Sequence, residues 1–352
     1  GERAVEGDPK NAVALPETPV VDLGVLLGDE PKQTLRAVIL SLERAASDDR
    51  VHGVYLDIGR PQVGFAQLQE LDAAMARFRE SGKWSLAFLE TAGELSRGDG
   101  AYAIATLADS ITLAPSGDVN LIGLRTEPLF FRGTLDKLEV EAHFEKRGVY
   151  KSAANQYTAS AMDKPTREAL SELIDDLQSD LVELIARRRG VEPATVNEWI
   201  QTGPHNSQTA LKFGMIDALG YSDEVTAVFE ERVGREDPLV GVSTYWLEGR
   251  PFDSGELVAV VFGEGAVTRG NPAPGVLDDD PVMASDPLIR AFRTLREDGA
   301  KAVVFRVDSP GGSYLASDLI RREVELTRAA GIPVVISMGN VAASGGYFVS
   351  MD

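Results

Sequence analysis

The chain has 352 residues, more than one hydrophobic core usually organises, so we expect two domains. Its formal net charge of −20 argues against a general affinity for nucleic acid, because phosphate contacts need clustered Lys and Arg. Cysteine is absent, which excludes disulfides and thiolate catalysis, and the three histidines (His52, His143 and His205) are too far apart in sequence to indicate a metal site.

An internal repeat is the strongest structural signal along the chain. The first copy predicts a strand at 18–24, a helix near 32–47, a strand at 53–57, a helix at 65–81 and a strand at 84–89. The second copy predicts a strand at 257–263, a helix at 286–298, a strand at 302–308, a helix at 313–330 and a strand at 333–337. Apolar runs alternating with amphipathic helices predict parallel sheets with right-handed crossovers, hence an α/β fold of repeated βαβ units.

Long helices are predicted between the two copies, at 165–189 and 222–233. Pro165 suits the first turn of a helix, and Gly190 follows three arginines as a helix stop. The segment 235–256 is rich in Pro and Gly and is expected to separate the domains. We predict a first repeat domain with a helical extension over 1–240, and the start of a second over 241–352 that is incomplete in this chain.

Two glycine-rich turns carry the chemistry of the second copy. The sequence Asp308-Ser309-Pro310-Gly311-Gly312 ends a buried strand and opens a helix, which leaves N–H donors free for an oxyanion. The sequence Ala342-Ala343-Ser344-Gly345-Gly346 does the same and exposes a serine hydroxyl beside the N–H of Gly345. Plain strand-to-helix turns with tight packing are the alternative. Because both turns follow strands of one parallel sheet, they should open at the same edge.

The site still needs a base. No histidine lies in a comparable turn, whereas a lysine can deprotonate a serine when burial lowers its pKa. Lys151 follows a strand-like segment and lies beside small residues, in Tyr150-Lys151-Ser152-Ala153-Ala154. A solvated surface lysine is the ordinary alternative.

These motifs together resemble the long form of the signal peptide peptidase A (protease IV) family. The resemblance implies that Ser344 is the nucleophile and Lys151 the general base. It also implies an oxyanion hole from the backbone of Gly311 and Gly345, with Gly312 as neighbour. The implied fold is two tandem Clp protease/crotonase-like domains. In the first copy, Asp99 stands where the second copy has Ser344, so we expect only the second copy to supply a nucleophile.

The implied function is a membrane-associated serine endopeptidase that degrades cleaved signal peptides. The resemblance further implies a homo-oligomer such as a tetramer, on the outer (periplasmic) face of the cytoplasmic membrane. Both ends of the chain look cut, and we expect an N-terminal membrane anchor outside it. No cofactor is expected, since Gly263-Glu264-Gly265 lacks the third glycine of a dinucleotide fingerprint.

Two other functions remain open at this stage. One is a crotonase-like acyl-CoA enzyme, which would also use glycine N–H groups as an oxyanion hole. The other is a non-catalytic scaffold for assembly on a membrane.

Overall fold

The computed structural model describes residues 20–22, 34–61, 63–94, 96–247, 256–272 and 281–351. The chain forms two compact units, residues 1–63 with 71–248 and residues 64–70 with 249–352. Across the described ranges, no helix has both the length and the apolar character needed to cross a bilayer.

The first half of the chain alternates strands and helices before a helical extension begins. In chain order, the elements are Val20–Asp22 (β1), Leu35–Ser47 (α1), Gly53–Ile58 (β2), Phe65–Glu80 (α2), Trp84–Leu89 (β3), Asp99–Ala105 (α3), Ser110–Leu113 (β4), Asp118–Val119 (β5), Arg132–Lys137 (α4), Asn155–Thr158 (α5), Lys164–Arg189 (α6), Pro193–Thr202 (α7), His205–Asn206 (β6), Ser207–Lys212 (α8), Ala218–Leu219 (β7), Ser222–Val233 (α9), Leu239–Gly241 (β8) and Val242–Leu247 (α10).

The sheet of the first unit is parallel throughout, in the order β7-β4-β3-β2-β1-β8. The central strands β2 and β3 are buried along almost their whole length, as strands between two layers must be. Phe229 of α9 covers one face, with its ring stacked on Trp84 at 5.1 Å between centroids and edge-on to Tyr55 at 5.0 Å. The α/β class predicted from the repeat is confirmed.

The helical extension begins and ends where the sequence indicates. The Asp163 side chain accepts the Thr166 N–H and caps α6, and Pro165 lies in its first turn. Gly190 ends the helix at φ 67°, a left-handed conformation that favours glycine. The predicted bounds of 165–189 are therefore confirmed to within one residue.

The second half of the chain repeats the order of the first. Its elements are Val258–Glu264 (β9), Ala266–Thr268 (β10), Val282–Ala284 (β11), Ser285–Glu297 (α11), Ala302–Ser309 (β12), Tyr314–Ala329 (α12), Val334–Ala342 (β13) and Gly345–Phe348 (α13). Strands β13, β12 and β9 form a parallel sheet in that order, and β10 pairs with β11. Phe292 and Phe305, both fully buried, meet edge to face at 5.3 Å in its core.

The segment 235–256, predicted as the boundary, contains regular structure in its first half. Strand β8 pairs with β1, and α10 follows it directly. Fully buried Tyr245 of α10 donates its hydroxyl to Asp48 at 3.0 Å. These residues complete the sheet of the first unit, and 248–255 lie outside the described residues.

A buried carboxylate joins the two helices that cover the second sheet. Glu323 of α12 is 4% exposed and accepts hydrogen bonds from Arg293 at 3.0 Å and Arg296 at 2.6 Å, both on α11. Each carboxylate oxygen has a guanidinium partner, which compensates for the loss of hydration. This ion-pair group holds α11 against α12.

We expect Glu323→Gln to lower the free energy of unfolding by about 3 kcal/mol, because the arginines lose a buried counter-charge. Urea titration followed by circular dichroism measures the change. Arg293→Gln is the control, since its side chain is 60% exposed and its loss should cost below about 1 kcal/mol. Equal, small shifts for both variants would contradict a stabilising role for Glu323.

Candidate active site

The first glycine-rich turn joins β12 to α12 and is fixed against β10. The Val267 N–H donates to Gly311 O at 3.0 Å, and the Ser313 N–H donates to Val267 O at 2.9 Å. A Cβ atom on Gly312 would clash with Val267 O, so this approach requires glycine. The turn therefore has a defined shape before any ligand binds.

The second turn holds a strained serine. Ser344 lies between β13 and α13 with φ 49° and ψ −115°, a conformation that costs a non-glycine residue roughly 1–3 kcal/mol. Its side chain is exposed, and its hydroxyl has no hydrogen-bond partner among the described residues. Such strain persists only where the surroundings impose it, and it is concentrated at functional sites.

The two turns touch each other at the carboxyl edge of the sheet, as the sequence predicts. The Ala343 N–H donates to Ser309 O at 3.0 Å and links their backbones. A Cβ atom on Gly311 would lie 2.6 Å from Ser344 Cβ and 2.5 Å from Gly345 N. The absence of a side chain at position 311 therefore lets the serine turn approach.

The N–H groups of this edge are not equally free. The Gly311 N–H donates to Ser309 Oγ at 3.1 Å, and that hydroxyl donates to Gly265 O at 2.6 Å. In the described part of the chain, the N–H groups of Gly312 and Gly345 donate no hydrogen bond. The pair available to a ligand is thus Gly312 with Gly345.

Sequence reasoning missed the role of Gly265. It considered Gly263-Glu264-Gly265 only as a dinucleotide motif, whereas the Gly265 carbonyl anchors Ser309. Gly265 has φ 80°, and its N–H donates to Asp308 O at 2.9 Å. A glycine directly after a predicted strand is the signal that indicates such a turn.

Lys151 lies in the first unit, in a segment with little regular structure. The prediction of a strand-like segment before it is wrong, because the described residues 138–150 form no strand and the chain turns at Gly148, with φ 87°. The side chain of Lys151 is exposed. Just after it, the buried Asn155 side chain accepts from Lys146 Nζ at 2.8 Å and donates to Asp163 at 3.0 Å.

Several exposed apolar side chains precede Lys151 in the sequence. We define residues 129–150 as the apolar arm; Leu138, Phe144 and Val149 in it are 66%, 53% and 63% exposed. Helix α4 within the arm buries none of its residues. Apolar surface left open in this way is typical of an interface.

Asp99 of the first unit occupies the position that Ser344 has in the repeat. Its carboxylate is 4% exposed and accepts the N–H groups of Ile122 at 3.2 Å and Gly123 at 2.8 Å. Arg97 adds a weaker contact at 3.3 Å. A cleft of about 470 Å³ remains at this edge, lined among others by Ile58, Arg60, Glu90 and Arg97. The first copy thus keeps a cleft without a nucleophile.

An exposed hydroxyl beside two free N–H groups suits acyl transfer. Comparison with known proteins finds similarity to proteases. The profile of peptidase family S49 matches residues 79–236, a range that contains Lys151 and ends before Ser344. Protease 4 of Salmonella typhi is 34% identical over 327 residues, covering 89% of this chain and 51% of that protein.

Two further similarities extend the comparison. The chloroplastic serine protease SPPA of Arabidopsis thaliana is 30% identical over 321 residues, covering 88% of this chain and 46% of that protein. A solved enoyl-CoA hydratase/isomerase family protein from Silicibacter pomeroyi covers 63% of this chain and 79% of its own, with 15% identity and a TM-score of 0.35. The chain spans about half the length of the two proteases. It belongs to peptidase family S49, the signal peptide peptidase A (protease IV) family of serine proteases.

Proposed function

We propose that the chain is the part of a serine endopeptidase that carries a Ser344/Lys151 dyad. One observation carries this proposal. Ser344 has a strained backbone and an unpaired hydroxyl, and it lies beside the free N–H groups of Gly312 and Gly345. The matching family supports peptide hydrolysis over an acyl-CoA reaction or a scaffold role.

The reaction runs in two steps. Neutral Lys151 accepts the proton of Ser344 Oγ as that oxygen attacks the peptide carbonyl carbon. The C–N bond then breaks, Lys151 returns the proton to the leaving amine, and an acyl ester remains on Ser344. Water, deprotonated by Lys151, attacks the ester carbon, the C–O bond to Ser344 breaks, and Lys151 returns the proton to Ser344 Oγ as the acid leaves.

The oxyanion of both steps is held by backbone N–H groups. The resemblance implied Gly311 and Gly345, but the Gly311 N–H is already bonded to Ser309 Oγ. We therefore assign the donors to Gly312 and Gly345, with Gly311 as the residue that leaves room for Ser344. Preorganised donors of this kind act without reorientation during the reaction.

Lys151 must lose its exposure to act as a base, because solvation favours the charged amine. Covering the apolar arm in a homo-oligomer, such as a tetramer, would remove water around it. This proposal rests on the exposed side chains of the arm, including Val149 and Tyr150 directly before Lys151.

The proposed substrates are cleaved signal peptides, which are apolar. Exposed apolar side chains follow each catalytic turn: Tyr314 is 85% exposed after the first, and Tyr347 is 54% exposed after the second. We further propose that the protein acts at the cytoplasmic membrane, on its outer face, and this part rests on the family resemblance alone.

The first prediction concerns the nucleophile. Ser344→Ala should lower kcat by several orders of magnitude and leave the fold intact, because an exposed hydroxyl is removed and no core cavity forms. Hydrolysis of an apolar fluorogenic peptide by full-length protein measures the rate. Ser171→Ala, on the exposed face of α6, is the control and should keep normal turnover. A well-folded Ser344→Ala protein with normal kcat would end the serine-protease proposal.

A second prediction concerns the base. Lys151→Arg should be as inactive as Lys151→Ala, because a guanidinium stays protonated at any working pH. Lys212→Arg, at an exposed lysine of α8 outside the arm, is the matched control and should keep activity. Substantial turnover in Lys151→Arg would assign Lys151 an electrostatic role in place of proton transfer.

The oxyanion donors give a third prediction. A Cβ atom on Gly345 would lie 2.5 Å from Ser317 Oγ and 3.2 Å from Gly312 N, so Gly345→Ala forces the Ser317 hydroxyl or the backbone of the two donors to move. We expect kcat to fall about 100- to 1,000-fold with little change in KM. Gly331→Ala, at a helix end where a Cβ meets nothing, should lower stability but not kcat. A change confined to KM would reassign Gly345 to substrate positioning.

A further inference from the structure

The strand that leads to Ser344 leaves its neighbour by a local shift in register. Strands β12 and β13 pair regularly from Val303↔Val334 to Val307↔Met338, and the next pair is Ser309↔Ala342. Two steps along β12 therefore correspond to four along β13. Residues 339–341 therefore lie opposite the single residue Asp308 and form a bulge that ends just before the serine turn.

The Asp308 carboxylate occupies the inside of this bulge. Its Oδ2 accepts the Asn340 N–H at 3.0 Å, and its Oδ1 accepts the Val341 N–H at 3.0 Å. Both N–H groups lie where the regular pairing of the strands has stopped, so the carboxylate replaces their ladder partners. Hydrogen bonds to an ionised acceptor are stronger than neutral ones.

Gly339 makes the contact possible from the other side. A Cβ atom at this position would clash with Asp308 Oδ2 and would lie 2.7 Å from its Cγ. The residue opposite Asp308 therefore has no side chain. We call Asp308 with the 339–341 backbone the carboxylate clamp.

The backbone between the carboxylate clamp and Ser344 has little conformational freedom. Val341 is bonded to Asp308, and two residues later the Ala343 N–H donates to Ser309 O at 3.0 Å. Beyond the serine, a Cβ on Gly346 would lie 2.6 Å from Ser309 O. The strained φ of Ser344 is thus imposed from both sides by the end of β12.

The first unit shows the same fold without the clamp. With Pro61 aligned to Pro310, Gly59 stands where the second copy has Asp308, and Glu90 stands where it has Gly339. There, β2 and β3 pair regularly as far as Ile58↔Leu89, the counterpart of Val307↔Met338, and no shifted pair follows among the described residues of these two strands. Asp99, in the place of Ser344, begins a regular helix and is not among the residues with positive φ. The clamp and the strained residue occur together in one copy and are both missing from the described part of the other.

We propose that Asp308 is a positioning residue for Ser344. Its carboxylate fixes the bulge in the shape that sets the Ser344 hydroxyl beside the N–H groups of Gly312 and Gly345. Each carboxylate oxygen accepts a backbone N–H of the bulge, so Asp308 acts on the nucleophile's turn through the backbone. Its effect on turnover rests on the proposed function, whereas its effect on the backbone does not.

The test compares Asp308→Asn with wild type in the full chain. An asparagine keeps one acceptor oxygen and turns a donor toward the other N–H, so one clamp bond is lost at nearly constant volume. We expect kcat to fall about 10- to 100-fold with KM nearly unchanged, since a small displacement of a reacting group costs this much. Asp318→Asn, an exposed aspartate on α12, removes the same charge and should leave kcat unchanged.

A second variant disturbs the carboxylate clamp while leaving the Asp308 side chain unchanged. Gly339→Ala should give the same loss in kcat, and the two losses should not add, because both substitutions disrupt the same carboxylate clamp. Normal kcat in Asp308→Asn, beside an inactive Ser344→Ala, would overturn the positioning role while leaving the nucleophile assignment in place.

A structural measurement separates this inference from the proposed function. Hydrogen exchange of the Asn340 and Val341 amides should rise at least about tenfold in Asp308→Asn. The backbone chemical shifts of Ser344 should move away from those of a positive φ. Unchanged exchange and shifts would overturn the clamp, and this result is readable even if Ser344→Ala proves fully active.

Discussion

The site depends on one steric constraint, the approach of the Gly311 backbone to Ser344 and Gly345. A single methyl group at position 311 would overlap atoms of the serine turn. Because the two turns fit this closely, the hydroxyl of Ser344 and two unengaged N–H groups are brought to one edge of the sheet. This arrangement places Ser344 in a backbone conformation that is unfavourable for a non-glycine residue, and neighbouring hydrogen bonds must hold it there.

The two repeats show which part of this arrangement the fold alone provides. Both have parallel strands whose carboxyl ends lie at one edge, and the first even keeps a cleft there. In the first copy, however, Asp99 is buried and its carboxylate is satisfied by backbone N–H groups. The chemistry therefore belongs to a few residues at the strand ends and not to the architecture they share.

Sequence patterns predicted the elements whose signal is local. Strand β3 was predicted with its observed bounds, and α6 was predicted from Pro165 and Gly190. Strand β8 was missed because three residues after a proline carry almost no periodicity, and its pairing with β1 is a tertiary contact. The sequence also could not show whether Gly311 or Gly312 has a free N–H, because this depends on the hydrogen bond that the Gly311 N–H donates to the Ser309 hydroxyl.

The two proposed catalytic side chains present opposite physical problems. Ser344 is a poor nucleophile that its own unit already orients, through glycine contacts and the Asp308 carboxylate. Lys151, the proposed base, is exposed in the described chain, whereas proton transfer from a serine needs a neutral amine in a site from which water is excluded. The orientation of Ser344 is therefore built into its own unit, whereas the proposed role of Lys151 also needs water to be removed around its amine. In the proposed homo-oligomer, a cover over the apolar arm would meet that need and would link peptide hydrolysis to assembly.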